Sequence, residues 1–155
     1  MNAASMNLSI DVSAAFSGPA YLTAPVQTYQ SARQAYANGT AAGGVDLVYQ
    51  GSLVVGSAGA SLNLGDGSLR DALGGALVFA HVSSLVIAVT GLTGWAAGGN
   101  FIAATLGAQT LGAGGKRVLD EPAAPIAVGA NTTITLTASG TAATGATIII
   151  AGTSV

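Results

Sequence analysis

Residues 77–89 read LVFAHVSSLVIAV, the least polar stretch of the chain, and the fold turns on how they are read. The run is rich in β-branched and other apolar side chains, which pack well on a pleated surface. It is therefore expected to be a strand covered on both faces, at the centre of the core. The competing reading is a membrane-spanning helix. No Asp, Glu, Lys or Arg occurs between Asp71 and Lys116, and residues 72–94 have about the length that crosses a bilayer. Yet Gly74, Gly75, His81, Ser83, Ser84 and Thr90 interrupt that window, and no cluster of Lys or Arg flanks it to set an orientation. Strands account for the segment better, and no membrane partner is expected.

Working outward, short apolar segments alternate with glycine and small polar residues on both sides of this run. Upstream, Leu8, Ile10 and Val12 alternate with Ser9 and Asp11, the period of a strand with one buried face. Residues 26–36 read as a strand or a short helix, the strand being preferred. Asn38-Gly39 is a turn dipeptide. It leads into Val45, Leu47 and Tyr49, and after Gly51 come residues 53–55 and 61–64. The stretch SLRDALGG differs in kind. Ser68 can cap a helical turn, Leu69, Ala72 and Leu73 have helical spacing, and Gly74 stands where a glycine ends a helix, so one short helix is expected near residues 68–73. Downstream, further strand segments fall at 92–97, 100–106, 117–119, 126–128, 133–137 and 146–151. Strand signals at such spacing predict an all-β chain, a β-sandwich of jelly-roll-like kind. Residues 1–36 read as an N-terminal arm or edge strands, and residues 37–155 as the sandwich domain.

Charge is scarce. The 155 residues hold four Lys or Arg and six Asp or Glu, 6% of the chain, against about 25% in ordinary soluble domains. Half the residues are hydrophobic and mean hydropathy is +0.61. A net charge of −2 cannot neutralise a run of phosphates, so no nucleic-acid partner is expected. With no cysteine and one histidine, the usual zinc sites, disulfide scaffolds and thiol chemistry are excluded, and no metal or cofactor is expected. No Lys or Arg precedes Arg33, so a secretory leader is not expected either.

Catalytic groups do not assemble on paper. His81 lies inside the expected central strand, with Ser83 on its face by strand period and no acid placed to orient the ring. A histidine held in the sheet by one or two hydrogen bonds explains it better. Asp66 with Asp71, and Asp120 with Glu121, are acid pairs that read as local charge pairing. GAGG at 112–115 before Lys116 lacks phosphate-loop spacing, and Arg117 replaces the hydroxyl residue. No catalytic residue is assigned and a non-enzymatic role is expected.

A surface this short of charge leaves neutral or apolar patches, which mark contacts with other chains. A homo-oligomer is therefore expected, and the candidate interface residues are Leu8, Ile10, Val12, Tyr29, Tyr36, Trp95 and Phe101.

The stretch 36–89 carries Asn38-Gly39-Thr40, Val45-Asp46-Leu47-Val48-Tyr49, Leu62-Asn63-Leu64, Leu69-Arg70-Asp71-Ala72-Leu73-Gly74, and Phe79-Ala80-His81-Val82 ahead of Leu85-Val86-Ile87. With the closing Ile148-Ile149-Ile150-Ala151-Gly152-Thr153-Ser154, it resembles the auxiliary head proteins of tailed bacteriophages, the decoration or cement proteins. The chain departs from that pattern at Ser52-Leu53, Leu73 and Ser83, where the family often has an Arg-Thr pair, an aromatic residue and a Lys. The resemblance implies a β-sandwich carried in many copies on the capsid surface of a virion, as trimers, bound to the major capsid protein and assembled in the host cytoplasm. Two other roles fit the residues: a tail or head-fibre component of such a virion, and a carbohydrate-binding β module for surface attachment, in which Trp95 and the tyrosines would stack on sugar rings.

Overall fold

In a computed structural model of the chain, the residues described are 5–15, 27–41, 44–56, 58–90, 95–105, 107, 109–111, 114–121, 123–138 and 144–154. In chain order the strands are β1 (Ser5–Ala15), β2 (Gln27–Asn38), β3 (Gly44–Val45), β4 (Leu47–Val55), β5 (Ala60–Asn63), β6 (Leu69–Arg70), β7 (Ala76–Leu77), β8 (His81–Thr90) and β9 (Trp95–Gly98). One helix, α1 (Gly99–Thr105), follows, and then β10 (Gln109–Leu111), β11 (Lys116–Asp120), β12 (Ile126–Ala127), β13 (Thr133–Ala138) and β14 (Thr144–Thr153).

Two antiparallel sheets share one core. The first has the order β11-β8-β14-β4, with β12 also paired to β8, and the second has the order β10-β9-β13-β5. Leu85, Ile87 and Val89 of β8 and Ile148 and Ile150 of β14 meet Leu62, Ile134 and Leu136 from the second sheet, and Phe101 and Ile102 of α1 close the same cluster. Alternation explains it: β13 reads Thr-Ile-Thr-Leu-Thr-Ala, so its apolar residues fall on one face. The all-β class expected from the sequence is the class observed. The jelly-roll variant is not established by this strand order.

The run 77–89 is interrupted: Leu77 ends β7, residues 78–80 lie outside the strands, and residues 81–89 belong to β8, which is flanked by β14 on one side and by β11 and β12 on the other. Its coverage is less complete than expected, because Val86 and Ala88 are half-buried while Leu85, Ile87 and Val89 are buried. Opposite β14 the register jumps: Ala151 pairs with Ser84 and Gly152 pairs with Val82. Ser83 is thus the extra residue of a β-bulge, which shifts the alternation so that Val82 and Leu85 both enter the core. Gly152 is required there, since a side chain would drive a Cβ into the His81 carbonyl oxygen.

The helix expected at 68–73 is not there. Leu69 and Arg70 are in β6, paired to β7, and residues 71–75 form the loop between them. Carboxylates divert the backbone. Asp66 Oδ1 accepts the Ser68 amide at 2.8 Å, and Asp71 Oδ1 accepts the amides of Leu73 and Gly75 at 2.9 and 2.7 Å, which satisfies donors that a short helix would leave to water. The helix lies instead at Gly99–Thr105, where a strand was expected over 100–106. Gly99 has φ +87°, and a Cβ on it would strike the Thr133 carbonyl oxygen. The chain turns at this residue hard against β13, and Asn100 fastens it by accepting the Thr133 amide at 2.6 Å and hydroxyl at 2.7 Å while donating to the Ala130 carbonyl at 3.1 Å.

Gly51 does not end its strand either, for β4 runs from Leu47 to Val55 in register with β14. The Tyr49 ring lies over the space a side chain at Gly51 would occupy, so the glycine is covered from within its own strand. The N-terminal segment forms an antiparallel ribbon in which β1 pairs with β2 from Ser5↔Ala37 to Ala15↔Gln27, and β2 then pairs in parallel with β3. That pairing carries β2 two residues past 36, where the arm was expected to end.

Candidate interaction surface

The ribbon gathers some of the expected contact residues and separates others. Leu8, Ile10 and Val12 stand opposite Gln34, Ala32 and Gln30, and Tyr36 stands opposite Met6, so by alternation these four expected residues share one face of the ribbon. Tyr29 stands opposite Ser13 and belongs to the other face. Trp95 opens β9, with Leu111 of β10 on one side and Ala138 of β13 on the other, away from the ribbon in the pairing order. Phe101 is a correction: it is 0% exposed and fills the shared core, because α1 turns it inward beside Ile102, so it offers nothing to a partner.

Among the residues whose exposure is described, the exposed large hydrophobics are Val54 (78% exposed), Leu73 (69%), Val78 (48%) and Val118 (37%). Leu73 rides on the β6–β7 loop, which is held from inside. Besides the two amides on its carboxylate, the Asp71 amide donates to the Gly75 carbonyl at 2.9 Å, and the Gly74 amide donates to the Asp71 carbonyl at 3.0 Å. The loop is thereby ordered in advance, with Ala72 and Leu73 presented to solvent. Val78 lies beside Gly67, whose own turn is fastened by Asp66, and the Ser68 hydroxyl and then the Ser68 amide hold that carboxyl below its usual range. The sequence contained a signal for Leu73, an apolar residue between an Asp and a Gly-Gly pair, and the helix reading concealed it. Val54 was legible too, since of two adjacent strand residues, Val54 and Val55, one must face out.

The edges of the two main sheets differ. β11 carries Lys116, Arg117 and Asp120, whereas β4 has no ionisable acid or base along Leu47–Val55 apart from the Tyr49 phenol. Burial, and second the neighbouring Glu121 charge, push the Asp120 carboxyl up from its ordinary value. At the far end of the first sheet Asp46 binds the chain's closing residues, accepting the Ser154 amide at 2.9 Å and its hydroxyl at 2.6 Å.

Groups that could do chemistry are dispersed. His81 Nδ1 lies 3.4 Å from Thr153 Oγ1 on the neighbouring strand, and Ser83 Oγ is buried. Among the described residues no three of His, Asp and Glu come together as a metal would require. No helix among them is long and apolar enough to cross a membrane. What the surface offers is a preordered apolar loop, an unguarded strand edge and a long ribbon. No protein-family model, no curated protein and no solved structure matches the chain.

Proposed function

We propose that the chain is a non-enzymatic structural protein of a virus particle, a capsid decoration or cement protein that works as a homo-oligomer on the outer surface of the shell. One observation carries the reading. Only 6% of its residues are charged, against about 25% in ordinary soluble domains. So weakly charged a surface suits a chain that spends its life covered by others. The resemblance of residues 36–89 to phage head auxiliary proteins says which others: the major capsid protein and sister copies. In this role Leu73, on a loop ordered in advance, and Val78, beside the Gly67 turn, enter apolar recesses of the shell.

The test is particle composition. Virions that carry the chain should contain it at a fixed ratio to the major capsid protein, and heads stripped of it should burst at lower temperature. Leu73→Asp should leave the isolated protein folded and weaken its retention on heads by about tenfold or more. Recovery in a few copies on isolated tails, or heads indifferent to its removal, would overturn the reading.

A further inference from the structure

We infer that copies of this chain join by strand addition, the free edge of ribbon strand β1 in one copy pairing with the free edge of sheet strand β4 in the next. Among the described residues both strands stand at the end of their pairing order, β1 beside β2 and β4 beside β14. An open strand edge is a row of unpaired amides and carbonyls, and proteins keep such edges short or charged unless something covers them. The other edges of the two main sheets obey this rule. Strand β5 has four residues, β10 has three, and β11 carries Lys116, Arg117 and Asp120. The two exceptions match each other in length, nine residues in β4 and eleven in β1, and Asp11 is the one charged residue between them.

One further observation makes the occupant a second copy, besides the match in length and lack of charge. A two-stranded ribbon is marginal alone and gains its stability from a third strand. This one runs for eleven paired positions, about 37 Å, with β3 added at its base alone among the described residues. Because the two edges differ, the contact is heterologous, each copy giving one edge and receiving the other.

The experiment extends to β1 and β4 the guard that β11 already has. One variant is Ser52→Lys with Val54→Lys, on β4 positions that are exposed, and the other is Ser9→Lys with Asp11→Lys, on the polar positions of β1. Light scattering and amide hydrogen exchange are read on the full chain. The unaltered chain is expected to be oligomeric, with amides in 5–15 and 47–55 protected together. Each variant alone should fall to the mass of one copy with native circular dichroism, and an equimolar mixture should recover a two-copy species, since one supplies an intact β1 and the other an intact β4. A single-copy unaltered chain, a β1 variant that stays assembled, or variants that do not complement each other would overturn the inference. It draws on the oligomeric part of the proposed function and not on the shell: a chain that assembles this way and binds no capsid would remove the cement reading and leave the strand pairing.

Discussion

Ser83 interrupts the alternation of β8, and its hydroxyl is buried with no hydrogen-bond partner among the described residues. An unsatisfied hydroxyl costs stability, so Ser83→Ala should be neutral or raise the unfolding free energy by up to about 1 kcal/mol in urea titrations, and a clear loss would reveal a partner for the oxygen. Across the bulge, Gly152 has no room for a methyl group against the His81 carbonyl, and Gly152→Ala should cost about 2 kcal/mol or more by the same measurement. Period-two reading put His81 and Ser83 on one face. That rule holds along an unbroken ladder and fails by one residue at a bulge, which is why the sequence found the strand and misplaced the serine. A glycine near the end of a strand pattern was the available warning.

At the scale of elements, most strands were legible because one face is buried and the apolar residues mark it, as Ile134, Leu136 and Ala138 do on β13. The two failures were exchanged for each other. Residues 68–73 have helical spacing, but the Asp66 and Asp71 carboxylates capture the backbone amides first. Residues 99–105 look like one more short apolar strand, and they coil because Asn100 is held by Thr133 and Ala130, thirty or more positions along the chain. No local reading contains that partner. Asn100→Ala should therefore cost about 1–2 kcal/mol in equilibrium unfolding, and Asn100→Asp, which keeps the acceptor and loses the donor, should fall between it and the unaltered chain. The burial of Phe101 was not legible, since an aromatic residue reads alike in a core and at a contact.

For the whole molecule, charge is so sparse that its pH dependence rests on few groups. Asp120 has its folded value raised by burial, so its contribution favours the folded chain in acid and is lost as pH climbs through the ordinary carboxylate range. Asp66, lowered by Ser68, acts in the opposite sense: it helps above its ordinary value and loses that effect as pH falls through the lowered one. Asp120→Asn should accordingly raise the melting temperature at neutral pH, by less than about 2 °C for a group that is only partly buried, and the gain should vanish below the unfolded value of 3.8. The sequence carries the expectation of a shared exterior in its scarcity of charge. It does not name the sheet edges, because which strands end a sheet depends on pairing between distant segments. That long-range pairing also governs how the protein is made. β14 lies between β8 and β4, so when a ribosome has produced residues 47–90 neither strand yet has the neighbour that will separate and join them. Translation must reach β14 before β8 and β4 can be joined, and until then the apolar run at 85–89 has β11 as its sheet neighbour on one side and none on the other.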